Sequence, residues 1–256
     1  MLTWGQNSSG QLGFGDFSTR VLPQMVEYFR SATLARVMCG SRTTIAIDAD
    51  GKLFAWGKGE DGTLGVGDRY TALKPKIVEG LLRQPMAQLT IRGAHVLALT
   101  ERGQLWAWGR NDDGQLGTRT NETGAGGKQQ RAVGHTESMV PERVTGLMGV
   151  MVVHIACGRC HSMAVDRQGR LHSWGGNDDG ALGHGDTLSR AAPELVKAFD
   201  GHKVVSVACG SRHTLALDED GSLYSWGWVS YAARASLSAA PFLPLTTRAR
   251  LHAARS

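Results

Sequence analysis

No apolar run in this chain approaches the roughly 18 residues a membrane-spanning helix needs. The opening residues MLTWGQNSSG lack the charged and apolar regions of a secretory signal. An excess of one charge sign is missing too. The formal net charge is +5, but residues 228–256 hold Arg234, Arg248, Arg250 and Arg255 and no acid. Without those four arginines, 24 basic residues stand against 23 acidic ones. Bulk charge therefore gives no reason to invoke nucleic acid. G-x-G-x-x-G and the Walker pattern are absent, so nucleotide binding by this chain is unsupported. Cysteine is scarce, with Cys39, Cys157, Cys160 and Cys209. Without a secretion signal these four are expected as reduced thiols in an intracellular protein. Cys157–Cys160 spells C-x-x-C but has neither the second pair of a zinc site nor a thioredoxin-like setting. A packing role is expected, with no metal and no cofactor.

What is abundant is glycine, at 34 of 256 residues, and it is periodic. Val204–Gly227, VVSVACGSRHTLALDEDGSLYSWG, predicts strands at 204–209, 213–217 and 222–226, joined by a Gly-led corner and an Asp-Gly turn. Trp-Gly recurs at Trp4, Trp56, Trp108, Trp174 and Trp226, in steps of 52, 52, 66 and 52. In phase with it run Leu12, Leu64, Leu116 and Leu182; Pro23, Pro75, Pro141 and Pro193; and the turn glycines Gly51, Gly103, Gly169 and Gly221. A period near 50 points to a propeller or array. Each unit is expected to start with a strand at Pro (PQMV, PKIV, PERV, PELV), tolerated on an outer edge because Pro lacks a ladder N–H. Three further strands then complete an antiparallel four-stranded blade, and stacked blades bury one another's apolar faces. The tryptophans are expected between blades.

WGRNDDGQLG (Trp108–Gly117), WGGNDDGALGHGD (Trp174–Asp186) and CGSRHTLALDEDGSLYSWG (Cys209–Gly227) resemble the regulator of chromosome condensation repeat family. The resemblance covers residues 2–227 and implies an all-β fold, a β-propeller. Family members close seven blades; about four are written here, which predicts a partial or open ring. Residues 1–227 are expected to be the repeat region. Residues 228–256 are Ala- and Arg-rich without turn grammar, and are expected as an irregular tail, disordered or the product of truncation. An open arc exposes strand edges through which copies could self-associate.

Catalytic, cofactor and metal residues are not expected. His161 and His213 share the register of His95 and Thr43, and a His repeated in this way reads as a structural hydrogen-bonder at the corner between strands. Light sensing, known in the family, wants Trp after the blade glycine; Ser41, Ala94, Arg159 and Ser211 stand there and argue against it. The loops carrying Asn111, Asp112 and Asp113, and Asn177, Asp178 and Asp179, emerge on one face. Such loops on a rigid scaffold are candidate partner contacts. About 14 extra residues around Thr118–Arg131 form a polar insert, where Arg119 and Lys128 are further candidates. The resemblance implies a non-enzymatic interaction propeller, with a guanine-nucleotide exchange role on a small Ran-like GTPase as the narrower version. The alternative is a substrate-recruiting or regulatory segment of a larger ubiquitin ligase or kinase.

Overall fold

A computed structural model describes residues 1–82, 84–118 and 137–228. The Asp-Gly turns set its period. Asp48 Oδ1 accepts the backbone N–H of Asp50 at 3.0 Å and of Lys52 at 2.8 Å, and Asp166 and Asp218 do the same in their units. Each turn closes on a glycine at positive φ, from 74° at Gly103 to 80° at Gly221, a conformation that costs other residues a Cβ clash.

The chain opens on an antiparallel pair, β1 (Leu2–Gly5) and β2 (Arg20–Met25). Three four-stranded antiparallel blades follow. The first holds β3 (Leu34–Cys39), β4 (Thr43–Asp48), β5 (Leu53–Gly57) and β6 (Ala72–Ile77). The second holds β7 (Met86–Arg92), β8 (His95–Thr100), β9 (Leu105–Gly109) and β10 (Ser138–Arg143). The third holds β11 (Val152–Cys157), β12 (His161–Asp166), β13 (Leu171–Gly175) and β14 (Arg190–Leu195). A three-stranded sheet ends the described chain: β15 (Val204–Cys209), β16 (His213–Asp218) and β17 (Leu223–Gly227). The architecture is all-β and the ring is open, as the repeat count predicts.

The blade is cut differently from the sequence expectation. The strand expected to begin at Pro and open each unit begins three residues earlier and pairs with the preceding Trp-Gly strand; Ala72 sits opposite Gly57, for example. It closes its blade as the outer edge. Pro75, Pro141 and Pro193 lie inside it, which an edge strand tolerates because one side of its ladder is unpaired. The residue after this strand, Val26, Val78, Val144 or Val196, is at most 2% exposed. A single 3-10 turn then buries Phe29, Leu81, Leu147 or Phe199.

Second strands are sandwiched on both faces: all six residues of β4, β8 and β12 are buried. Each buried Val, Leu or Ile there contributes roughly 1.5–3 kcal/mol. Trp56, Trp108 and Trp174 are 0% exposed. Each indole donates back to the preceding unit: Trp56 to Gln11 O at 2.8 Å, Trp108 to Thr63 O and Trp174 to Gln115 O at 2.9 Å, and Trp226 to Ala181 O at 2.8 Å. The slot floor is the glycine of Leu-Gly. A Cβ on Gly65 or Gly117 would lie 2.7 Å from the indole nitrogen of Trp108 or Trp174. The tryptophans thus sit between blades, as expected. Trp4, at the start of the arc, is 60% exposed.

Candidate functional site

Two sets of loops share one face of the arc. One set is the corners between first and second strands: 40–42, 93–94, 158–160 and 210–212. The other is the loops leaving Trp-Gly. Backbone hydrogen bonds clamp them together: Lys58 N–H donates to Arg42 O at 2.9 Å, and Arg110 N–H to Ala94 O, Gly176 N–H to Cys160 O and Trp228 N–H to Arg212 O, each at 2.8 Å. The glycine of Trp-Gly permits this approach. A Cβ on Gly109 or Gly175 would lie 2.4 Å from the corner carbonyl.

The exit loops are built around a buried asparagine. Asn111 Oδ1 accepts the N–H of Leu116 at 3.0 Å, and Asn177 Oδ1 that of Leu182 at 2.9 Å. Asn177 Nδ2 also donates to Asp186 O at 2.9 Å. Both asparagines are buried with their Oδ1 spent inside the loop, so the solvent-facing chemistry of these loops belongs to the aspartates beside them. Asp112 pairs with Arg110 at 2.6 Å. Asp179 pairs with Arg212 at 2.7 Å and ties the third blade to the last sheet. Asp178 is exposed. Asp113 hydrogen-bonds Cys160. Arg119 and Lys128 lie outside the described residues.

A cavity of about 370 Å³ opens between these elements, lined by Arg110, Asp113, Arg159, Cys160, Asp179 and Arg212 among others. Its thiol is inert. Burial, then the carboxylate of Asp113, pushes Cys160 up to about 11. Burial pushes Cys157 up to about 12 and Cys209 higher still. All four cysteines are free, and the described residues contain no group of three His, Cys, Asp or Glu able to hold a metal.

The histidines do more than the sequence suggests. His95 Nε2 meets Ser162 Oγ of the next blade at 3.0 Å, and His161 Nε2 meets Thr214 Oγ1 of the next sheet at 3.1 Å. They bridge blades rather than fix a corner within one. Burial, then the neighbouring His161, lowers His95 to about 3; burial, then His213 and Arg92, lowers His161 to about 4. Gly158 makes room for this, since a Cβ there would lie 2.1 Å from the His161 ring. His–hydroxyl pairs can signal acyl transfer, but Ser162 already donates to Gln115 O at 2.7 Å and is 0% exposed. Ser173, paired with His184 at 2.8 Å, donates to Leu182 O and is equally buried. Neither hydroxyl can reach a substrate.

Comparison with known proteins agrees with this geometry. The Ultraviolet-B receptor UVR8 of Arabidopsis thaliana is 34% identical over 230 residues, 90% of this chain and 49% of the relative. The E3 ubiquitin-protein ligase HERC2 of Homo sapiens is 36% identical over 218 residues, 84% of this chain and 4% of that protein. The chain thus spans about half of the first relative and a small part of the second. Among solved structures, human WBSCR16 superposes with a TM-score of 0.72 at 26% identity, over 88% of this chain and 56% of that one. Prp20p from Saccharomyces cerevisiae superposes at 0.75 and 23% identity, over 97% and 59%. The model of the regulator of chromosome condensation (RCC1) repeat matches residues 1–47, 50–99, 102–165 and 168–217. With its indole slots, buried loop asparagines and blade-closing edge strands repeated unit by unit, the chain belongs to the RCC1 repeat family.

Proposed function

We propose that this chain is a non-enzymatic protein-docking propeller, and that its contact surface is the face carrying the corners and the Trp-Gly exit loops. One observation carries the reading. On that face Arg42, Arg110, Asp112, Arg159, Asp178 and Arg212 stand at or near the surface on backbone clamped blade to blade, while the buried thiols, imidazoles and hydroxyls are committed to packing. A rigid scaffold that presents charged loops is suited to recognition. Charge reversal at Arg212 or Asp178 should change a partner's association rate, with strong salt dependence.

The narrower reading is guanine-nucleotide exchange on a Ran-like small GTPase. It is supported by likeness to Prp20p, which has been studied for its binding to Gsp1p and histones; the insert near Thr118–Arg131, the sequence's candidate for such a role, extends outside the described residues. Release of labelled GDP across a panel of small GTPases tests it; no acceleration by this chain refutes it. The second reading, substrate recruitment for a ubiquitin ligase, is favoured by the 36% identity to HERC2. A transcript joining these repeats in frame to a ligase domain would support it. One edge of β1 has no strand partner among the described residues, and with exposed Leu2 and Trp4 it keeps self-association as a third use of the fold. A concentration-independent monomer mass in sedimentation would rule that out. Free thiols fit an intracellular setting.

A further inference from the structure

Arg159 breaks the repeat. Its register position holds Ser41, Ala94 and Ser211 in the other units. It lines the 370 Å³ cavity, exposed on a corner whose backbone is fixed by Arg159 N–H donating to Ser211 O at 3.1 Å. The Gly93 backbone packs against this corner: a Cβ there would lie 2.6 Å from Arg159 O. The Arg92 guanidinium crosses the third blade to donate to Cys209 O at 3.2 Å and Ser211 Oγ at 3.4 Å. Among the described residues, neither arginine meets a carboxylate. The other charges are engaged: Arg212 with Asp179, Arg110 with Asp112, Asp113 with Cys160. Asp178 also lines the cavity and has no ion pair among the described residues.

We propose that this cavity is a carboxylate-binding site, anchored by Arg159, that takes an acidic side chain from a protein partner. A guanidinium matches a carboxylate with paired N–H donors. The remaining lining is glycine, alanine, Cys160, His161, Ser211 and charged groups, without the apolar walls that hold a free small molecule. The occupant is therefore a side chain delivered by a larger contact. The inference rests on the docking-face reading and names its partner's chemistry.

Fluorescein-labelled hexaglutamate is the probe, read by anisotropy against hexalysine. Wild type should bind hexaglutamate and not hexalysine. Arg159→Glu should weaken it at least about tenfold and Arg159→Gln by less. Lys197→Glu on the opposite face should change nothing. Unchanged melting temperatures would show that the variants fold. Binding by Arg159→Glu as tight as wild type overturns the site. If Arg42→Glu weakens binding while Arg159→Glu does not, the docking face stands and this cavity falls; if no reversal on the face matters, both fall. Inorganic phosphate binding in calorimetry, with no hexaglutamate binding, would mean a free-anion site and also overturn the proposal.

Discussion

Replacing Trp108 by Ala tests the blade-stacking logic most directly. The indole fills the slot between the first and second blades, is fully buried, and donates to Thr63 O at 2.9 Å. A buried Trp→Ala change costs about 3–5 kcal/mol in transfer and cavity terms. The carbonyl left behind adds to this. Gln115 O, which receives Trp174, also accepts Ser162 Oγ, whereas Thr63 O has no second side-chain donor among the described residues. Trp108→Ala should therefore exceed Trp174→Ala by about 1 kcal/mol. Trp4→Ala, at a position 60% exposed, should stay within about 0.5 kcal/mol. Urea unfolding followed by circular dichroism reads all three, with equal slopes required before midpoints are compared. Against a typical domain stability of about 5–15 kcal/mol, Trp108→Ala should leave a marginal fold. A loss below about 1 kcal/mol, or one equal to that of Trp4→Ala, would refute the slot as the unit of stability.

Stability should fall from pH 7 towards pH 4. His95 and His161 titrate near 3 and 4 in the fold against about 6.5 unfolded. The unfolded state therefore binds protons first, and each histidine costs up to about 1.4 kcal/mol per pH unit within that window. Melting temperatures of wild type and of His95→Thr/His161→Thr check this; the double variant should show the flatter profile, and a flat wild type would contradict it. Gly65→Ala combines a φ of +69° with a Cβ 2.7 Å from the Trp108 indole, and should cost about 2–4 kcal/mol in thermal or urea unfolding. Thiol titration should find one fast group, exposed Cys39, with the others released only by denaturant, because only the thiolate reacts.

Much of the fold was legible because strand and turn signals are local. The strand ends at Cys39, Arg92, Cys157 and Cys209 fall where the following glycine places them. The Asp-Gly turns need no distant partner. The Pro-containing strand was harder: an edge strand pairs on one side only, and sequence does not say whether the blade before or after owns it. The candidate face was half legible. Its aspartates were found from composition, but Asn111 and Asn177 look identical to surface turn residues until Leu116 and Leu182 are seen donating to them. Position in the repeat was the available signal for both, and for the valines before each 3-10 turn.

The sequence alone determined that a module near 50 residues long recurs, with glycine wherever backbone must turn left-handed or approach closely, because those demands are met within a few residues of chain. Only the tertiary structure decided that the histidines join blades, that the Trp108 indole leans on Thr63, and that Arg92 reaches Ser211, 119 residues away. Those contacts depend on how one blade stacks on the next, an angle set by the summed packing of whole sheets.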